Sequence, residues 1–232
     1  MDPKCFGHVG KAGRSQVPPP SAHVGKDVMS VVYRILYQVG FTPWEGSAAQ
    51  ARSREQISAM FDREENGRQA PYGRALDLGC GGGLWSVELA RRGWQVTGVD
   101  IVPKALRTAR ERAREAGVEV RFVQGDVTAL RAAEVGSGYR LLLDFGTVHG
   151  LKDGQREAVG REVSAVAAAD ATVLMLAWPP GRRGPLPRGV SRADIEAAYP
   201  GWDVTEGDAL DAELPRFATK DGDPRWYRLR RH

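Results

Sequence analysis

Cysteine is almost absent: the 232 residues hold two, Cys5 and Cys80. Far apart, with the second inside a glycine cluster, they make no disulfide framework and fit a reducing compartment, so a cytoplasmic protein is expected. Histidine is nearly as scarce. Of four histidines only His149 lies outside the terminal segments, and Cys5 with His8 has no second pair to close a zinc site, so no metal is expected. No apolar run approaches the roughly 20 residues that span a bilayer, and the N-terminus lacks the apolar centre of a secretory signal. No membrane association is therefore expected. Internal repeats are missing too. Charge of one sign is not in great excess: 33 Lys and Arg oppose 29 Asp and Glu, for a net +4. The two signs are interleaved, as in Arg107 to Glu115 and Arg156 to Glu162, which marks solvated helix faces and not the basic stripe of a nucleic-acid binder.

What the chain does have is an apolar share of 42%, enough for one compact domain with additions. Its focus is Arg74-Ala75-Leu76-Asp77-Leu78-Gly79-Cys80-Gly81-Gly82-Gly83-Leu84-Trp85. An apolar run enters a glycine cluster, and an amphipathic pattern follows in Leu84, Val87, Leu89 and Ala90, which predicts strand, tight turn and helix. Glycines let a ligand lie against the main chain, and the amides opening the helix face the same crevice. A second strand, Gln95 to Asp100, ends in an acid about twenty residues further on, where nucleotide-binding units place a carboxylate for ribose hydroxyls. The acid at Asp77 would repel a pyrophosphate and suit a cationic ligand. A dinucleotide-binding unit is the alternative.

This stretch resembles the first motif of class I S-adenosylmethionine-dependent methyltransferases, and Val99-Asp100-Ile101 and Gly125-Asp126-Val127 resemble the second and third. The resemblance implies S-adenosyl-L-methionine as cofactor. It implies that Asp77, Gly79 and Gly81 line its methionine part, with Cys80 among the cofactor-binding residues, that Asp100 holds the ribose, and that Ile101, Asp126 and Val127 surround the adenine. Thr42-Pro43-Trp44-Glu45 is similar to the Thr-Pro-Trp-Asp segment of small-molecule methyltransferases of the thiopurine, thiol and halide type, with Glu in place of Asp, and the residues after Gly46 diverge. On that likeness Trp44 contacts the cofactor. From Val28 onwards the chain also resembles actinobacterial methyltransferases of heterocyclic toxins and hydroxyquinolones, notably in Gly184 to Gly189 and Trp226 to Leu229.

In chain order, residues 1–26 are rich in Gly, Pro, Ser and Lys and read as a disordered leader. Residues 27–70 read as an N-terminal helical cap. Its first helix carries Val28, Val31, Val32, Ile35, Leu36 and Val39. The second, about 48–69, carries Ile57, Met60 and Phe61 with a charged outer face. Residues 71–232 read as the cofactor-binding domain. Strands are expected at 74–78, 95–100, 118–123, 139–144, 171–177, 201–205 and 225–230, with helices between them. The fold class is α/β: a Rossmann-like, seven-stranded, mostly parallel sheet with helices on both faces. The family resemblance makes the last strand antiparallel.

Ligands of such sheets sit at the carboxyl ends of the strands, which brings Asp144, Phe145 and Trp178 to the site. Relatives carry an Asp-x-Gly-x-x-His segment after the fourth strand; here it is Asp144-Phe145-Gly146-Thr147-Val148-His149. His149 and Asp144 are the candidate catalytic residues, and Asp144 also borders the cofactor. An unperturbed histidine pKa of about 6.5 would let His149 act as a base, or the ring could simply tie its loop. Tyr33, Tyr37, Phe145, His149 and Trp178 form the candidate acceptor pocket. Tyr33 and Tyr37 could equally dock their helix on the sheet, and Trp178 could be core. The expected activity is in-line methyl transfer to O, N or S of a small aromatic or heterocyclic acceptor, in a monomer or weak homodimer. A nucleic-acid methyltransferase and a non-catalytic cofactor-binding protein are the alternatives; the fourth strand lacks the Asn/Asp-Pro-Pro-aromatic motif of base methyltransferases.

Overall fold

The computed structural model describes Ile35, Gly46, residues 50–181 and residues 188–231, the side chains of Phe217 and Ala218 excepted. The expected leader, the first cap helix apart from Ile35, Tyr33, Tyr37 and Trp44 lie outside the described residues. So does the tip of the loop at 182–187.

Alternation of apolar runs with amphipathic segments produces α1 (Ala51–Glu65), β1 (Arg74–Leu78), α2 (Leu84–Arg92), β2 (Gln95–Asp100), α3 (Pro103–Glu115), β3 (Val120–Gln124), β4 (Tyr139–Phe145), α4 (Asp153–Val166), β5 (Ala167–Ala177), α5 (Arg192–Ala198), β6 (Trp202–Ala209), α6 (Arg216–Thr219) and β7 (Arg225–Arg231). Seven strands form one sheet in the order β3-β2-β1-β4-β5-β7-β6. Neighbours from β3 to β5 pair in parallel, and β7 runs antiparallel to both β5 and β6. This is the expected Rossmann-like sheet.

The register fixes which face each strand residue serves. Ala75 pairs with Leu141 and Asp77 with Leu143, whereas Leu76 pairs with Leu142 and Leu78 with Asp144. Because side chains alternate across a strand, the first set packs under α1 and α2 with Ile57, Phe61, Trp85 and Leu89. The second set packs under α4 and α5 with Val159, Val163, Ile195 and Tyr199. Helices on both faces explain why the central strands read as unbroken apolar runs.

Two expectations need correction. Glu64 departs from the charged outer face of α1, where Arg52, Arg54, Glu55, Asp62 and Arg63 are exposed. Glu64 lies one turn beyond Ile57 and Phe61 on the same stripe, so it is carried inward. It is 7% exposed and accepts from Arg228 Nε at 2.6 Å and Nη2 at 3.0 Å, and from Thr172 Oγ1 at 3.1 Å. Arg92 of α2 pairs with Asp62 at 2.7 Å and Glu65 at 2.8 Å. Second, β5 begins at Ala167 and not at Ala171, since main-chain pairing of Tyr139 with Ala167 extends the ladder past a register shift. The added residues are half-buried or exposed, so no apolar run announces them.

Among the described residues no helix is long and apolar enough to cross a membrane.

Candidate active site

The glycine turn is built from both sides. Gly79, Gly81 and Gly83 have φ of 66°, 51° and 75°, a region that L side chains rarely adopt. Space is also short: a Cβ on Gly79 would lie 2.2 Å from Thr147 Oγ1, and one on Gly83 would lie 2.8 Å from the Cβ of Ala109. The turn therefore lies directly against α3 and the segment after β4. Arg112 reaches from α3 to the carbonyl oxygen of Gly82.

Carboxylates at the strand ends hold this turn. Asp100 Oδ2 accepts from the Gly81 amide at 2.9 Å, and Oδ1 accepts from the Val102 amide at 2.7 Å. It thus joins the glycine turn to the start of α3. Asp77 is 2% exposed, and Ser86 of α2 donates to its Oδ2 at 2.6 Å. Burial pushes the Asp77 pKa up to about 7; the Ser86 hydrogen bond opposes that rise and Asp100 adds to it. Cys80, between them, donates its amide to the Val99 carbonyl at 3.0 Å. Its thiol is pushed well up, first by burial, then by Asp77 and Asp100.

The third motif lies alongside. Gly125 donates to the Asp100 carbonyl at 3.1 Å. Asp126 Oδ1 accepts from the Thr128 amide at 2.8 Å and its hydroxyl at 2.7 Å, capping a 3₁₀ turn at Val127–Ala129. Ile101 is half-buried and Val127 is buried. The structure thus brings Asp77, Gly79, Cys80, Gly81, Asp100, Ile101, Asp126 and Val127 together at the carboxyl ends of β1, β2 and β3.

Asp144 departs from its expected place. Its side chain lies on the α4 face, opposite to Asp77, and is fully buried. Oδ1 accepts from the Thr147 amide at 2.6 Å, and Oδ2 from the Val148 amide at 3.1 Å. Burial raises its pKa to about 7 against these two hydrogen bonds. The carboxyl anchors the turn at 146–150 and is not presented to an acceptor as a base. His149, 5% exposed, lies in that turn, with its Cε1 3.1 Å from where a Cβ on Gly146 would stand. Trp178, half-buried at the end of β5, accepts from the Val190 amide at 2.9 Å. Beyond it the flanks of the 181–189 loop are tied by Gly181 N to Arg188 O at 2.9 Å and by Arg156 Nη2 to Gly189 O at 2.7 Å.

Phe145 is half-buried on the α2 face. It packs 5.8 Å from Trp85 at 35° and 5.8 Å from Trp226 at 67°. Trp85, Trp226, Ser86 and Thr147 pack around these residues and were not assigned to the site from the sequence. Trp85 ends the glycine motif and Trp226 opens the Trp226 to Leu229 stretch, but only the pairing of β7 with β5 brings Trp226 to Phe145.

Residues 75–170 match the family model described as "Methyltransferase domain". A ubiquinone biosynthesis O-methyltransferase of Caulobacter sp. (strain K31) is 44% identical over 84 residues, which is 36% of this chain and 33% of that protein. One of Xanthomonas axonopodis pv. citri is 45% identical over 71 residues, 30% of each chain. The chain therefore spans about a third of the length of these curated relatives. Among solved structures, the magnesium protoporphyrin IX methyltransferase of Synechocystis PCC 6803 with bound SAM superposes with a TM-score of 0.66 at 17% identity, covering 90% of this chain and 99% of that one. The 1,6-didemethyltoxoflavin-N1-methyltransferase of Burkholderia thailandensis gives 0.63 at 20% identity, covering 88% and 87%. Residues 75–170 thus match a methyltransferase domain, and the chain shares its fold with these solved methyltransferases.

Proposed function

We propose that the chain uses S-adenosyl-L-methionine to methylate an O, N or S atom of a small aromatic or heterocyclic acceptor. The observation that carries this reading is the glycine turn with two carboxylates on one face of the sheet, the face on which Phe145, Trp85 and Trp226 also pack. Its donor set fits the cofactor. A buried carboxylate suits a cationic methionine head, Asp100 retains lone pairs for ribose hydroxyls, and Ile101 and Val127 offer apolar cover for adenine with Asp126 at its edge. When bound, the cofactor supplies a methyl group activated by a sulfonium. The protein's part is alignment and exclusion of water.

Phe145, Trp85 and Trp226 form the apolar wall for a planar acceptor, with Trp178 across the end of β5. Trp44, Tyr33 and Tyr37 complete the proposal as a cover over the cofactor. His149 accepts a proton when the acceptor arrives protonated, and Asp144 positions its turn. The named relatives include oxygen and nitrogen methyltransferases, so the atom class stays broad.

The test is transfer of labelled methyl from S-adenosylmethionine to phenols, hydroxyquinolines, thiols, heterocyclic amines and bulk RNA. Label in one small-molecule class is expected. Label in RNA alone, or tight cofactor binding with no transfer to any of them, overturns the acceptor assignment.

A further inference from the structure

The first turn of α2 carries an unsatisfied donor beside a cavity. Trp94, Trp202 and Trp226 each donate their indole N–H to a side chain: to Glu65 at 2.9 Å, Ser164 at 2.9 Å and Gln56 at 3.3 Å. Trp85, 7% exposed, does not. Its buried Nε1 has no hydrogen-bond partner among the described residues, and the rings packed on it, Phe61 at 6.2 Å and Phe145 at 5.8 Å, offer no oxygen or nitrogen. A buried donor left unpaired costs about 1–3 kcal/mol, and one that persists needs a reason. The cavity lies close by. Arg92 clamps α1 to α2 toward their C-terminal ends, meeting Asp62 at 2.7 Å and Glu65 at 2.8 Å. Between the first two turns of the same helices is a cavity of about 250 Å³, lined by Arg54, Glu55 and Ser58 of α1 and by Leu84, Trp85 and Glu88 of α2. A cavity of about 150 Å³ accepts a benzene ring, so this one has room for a substituted ring. Charge at its rim is balanced: Arg54 and Glu55 are exposed and of opposite sign, and Glu88 pairs with Arg92 at 3.3 Å. A neutral ligand is therefore favoured over an ion.

We propose that this cavity seats the ring of the methyl acceptor and that Trp85 Nε1–H donates to an oxygen carried by that ring. The inference rests on the acceptor reading above and narrows it to neutral, planar, oxygen-bearing rings such as phenols and quinolones. The glycine turn leads straight into Leu84 and Trp85, and Trp85 packs on Phe145 at the end of β4. One side chain thus joins the cofactor turn, the cavity and the acceptor wall. Leu84 and the indole give the ring apolar cover. Neighbouring atoms cover Nε1, so the ring enters with a small tilt of the indole toward the cavity, and the new hydrogen bond offsets that movement. Trp85 thereby sets specificity, because a ring of the same size without the oxygen leaves the donor unpaired.

Proton–nitrogen correlation spectra of the full chain report each indole N–H separately, and the Trp85 signal is the one lost in Trp85→Phe. The probes are p-cresol and 4-quinolone, with toluene as the ring of similar size that lacks oxygen. Both oxygen-bearing rings should move the Trp85 signal downfield and slow its exchange with solvent, and toluene should do neither. Trp85→Phe should lower the affinity for p-cresol relative to that for toluene by roughly threefold to tenfold, with the affinity for S-adenosylhomocysteine unchanged. A Trp85 signal that ignores all three rings, or that moves equally with toluene, overturns the inference; the proposed function still stands if labelled methyl passes to a small ring. No response at Trp85 together with no methyl transfer to any small ring overturns both. Should Trp85→Phe not fold, through-bond assignment of the wild-type signal and the contrast between p-cresol and toluene decide alone.

Discussion

Thr147 donates its hydroxyl to the carbonyl oxygen of Leu78 at 2.9 Å, and that hydroxyl oxygen, Thr147 Oγ1, stands 2.2 Å from where a Cβ on Gly79 would be. The segment after β4 and the glycine turn are thus one packed unit. Gly79→Ala meets both a positive φ and this contact. It should destabilise the protein by at least about 1–2 kcal/mol and weaken cofactor binding tenfold or more, measured by denaturation and calorimetry. Adding Thr147→Ala should cost less than the sum of the two single changes, because the clash is shared.

The Glu64 and Arg228 pair ties α1 to β7, with Thr172 of β5 completing the site. Glu64→Gln leaves a guanidinium that is 26% exposed without its counter-charge. Removing one partner of a buried pair costs about 3–5 kcal/mol, and the partial exposure of Arg228 places the loss nearer 2–3 kcal/mol. Urea unfolding measures it. An unchanged midpoint would make α1 an appendage and not part of the core.

Stability should depend on pH with a definite sign. Asp77 and Asp144 have native pKa values raised to about 7, against about 3.9 for an unfolded aspartate. Their contribution is complete below about pH 4 and is lost as pH rises through 7. Glu162, Asp170 and Asp194 are shifted down, so theirs is lost only in acid, below their ordinary range. Between pH 5.5 and 8 the ligand-free protein should therefore lose several degrees of melting temperature. Ser86→Ala should make that fall steeper.

Much of this architecture was readable because its signals are local. Glycines followed by Leu84, Val87 and Leu89 mark a turn and helix without tertiary knowledge, and Ser191 with Asp194 three residues on is a local signal of a helix start, with Asp194 N donating to Ser191 Oγ at 3.2 Å. What escaped was set by register or by distant contact. Asp77 and Asp144 both end apolar strands, but β1 and β4 pair Asp77 with Leu143 and not with Asp144, so the two carboxyls face opposite sides of the sheet. Glu64 looks like surface charge until Arg228, 164 residues away, comes beneath it. Trp226 reaches Phe145 only because β7 inserts beside β5.

The aromatic wall predicts a split between cofactor and acceptor. Phe145→Ala should lower kcat/KM for the accepted small molecule tenfold or more while changing cofactor affinity less than twofold. An equal loss of both would place Phe145 in cofactor binding or in general packing.

The central claim is that the crevice between the glycine turn and Asp100 holds S-adenosylmethionine. Calorimetric titration of S-adenosylhomocysteine into the wild type and into Asp100→Ala, with NAD⁺ as a control ligand, tests it most directly. The account predicts binding to the wild type, a loss of tenfold or more in the variant and no binding of NAD⁺. Binding of NAD⁺, or equal affinity of the two proteins for S-adenosylhomocysteine, would contradict it.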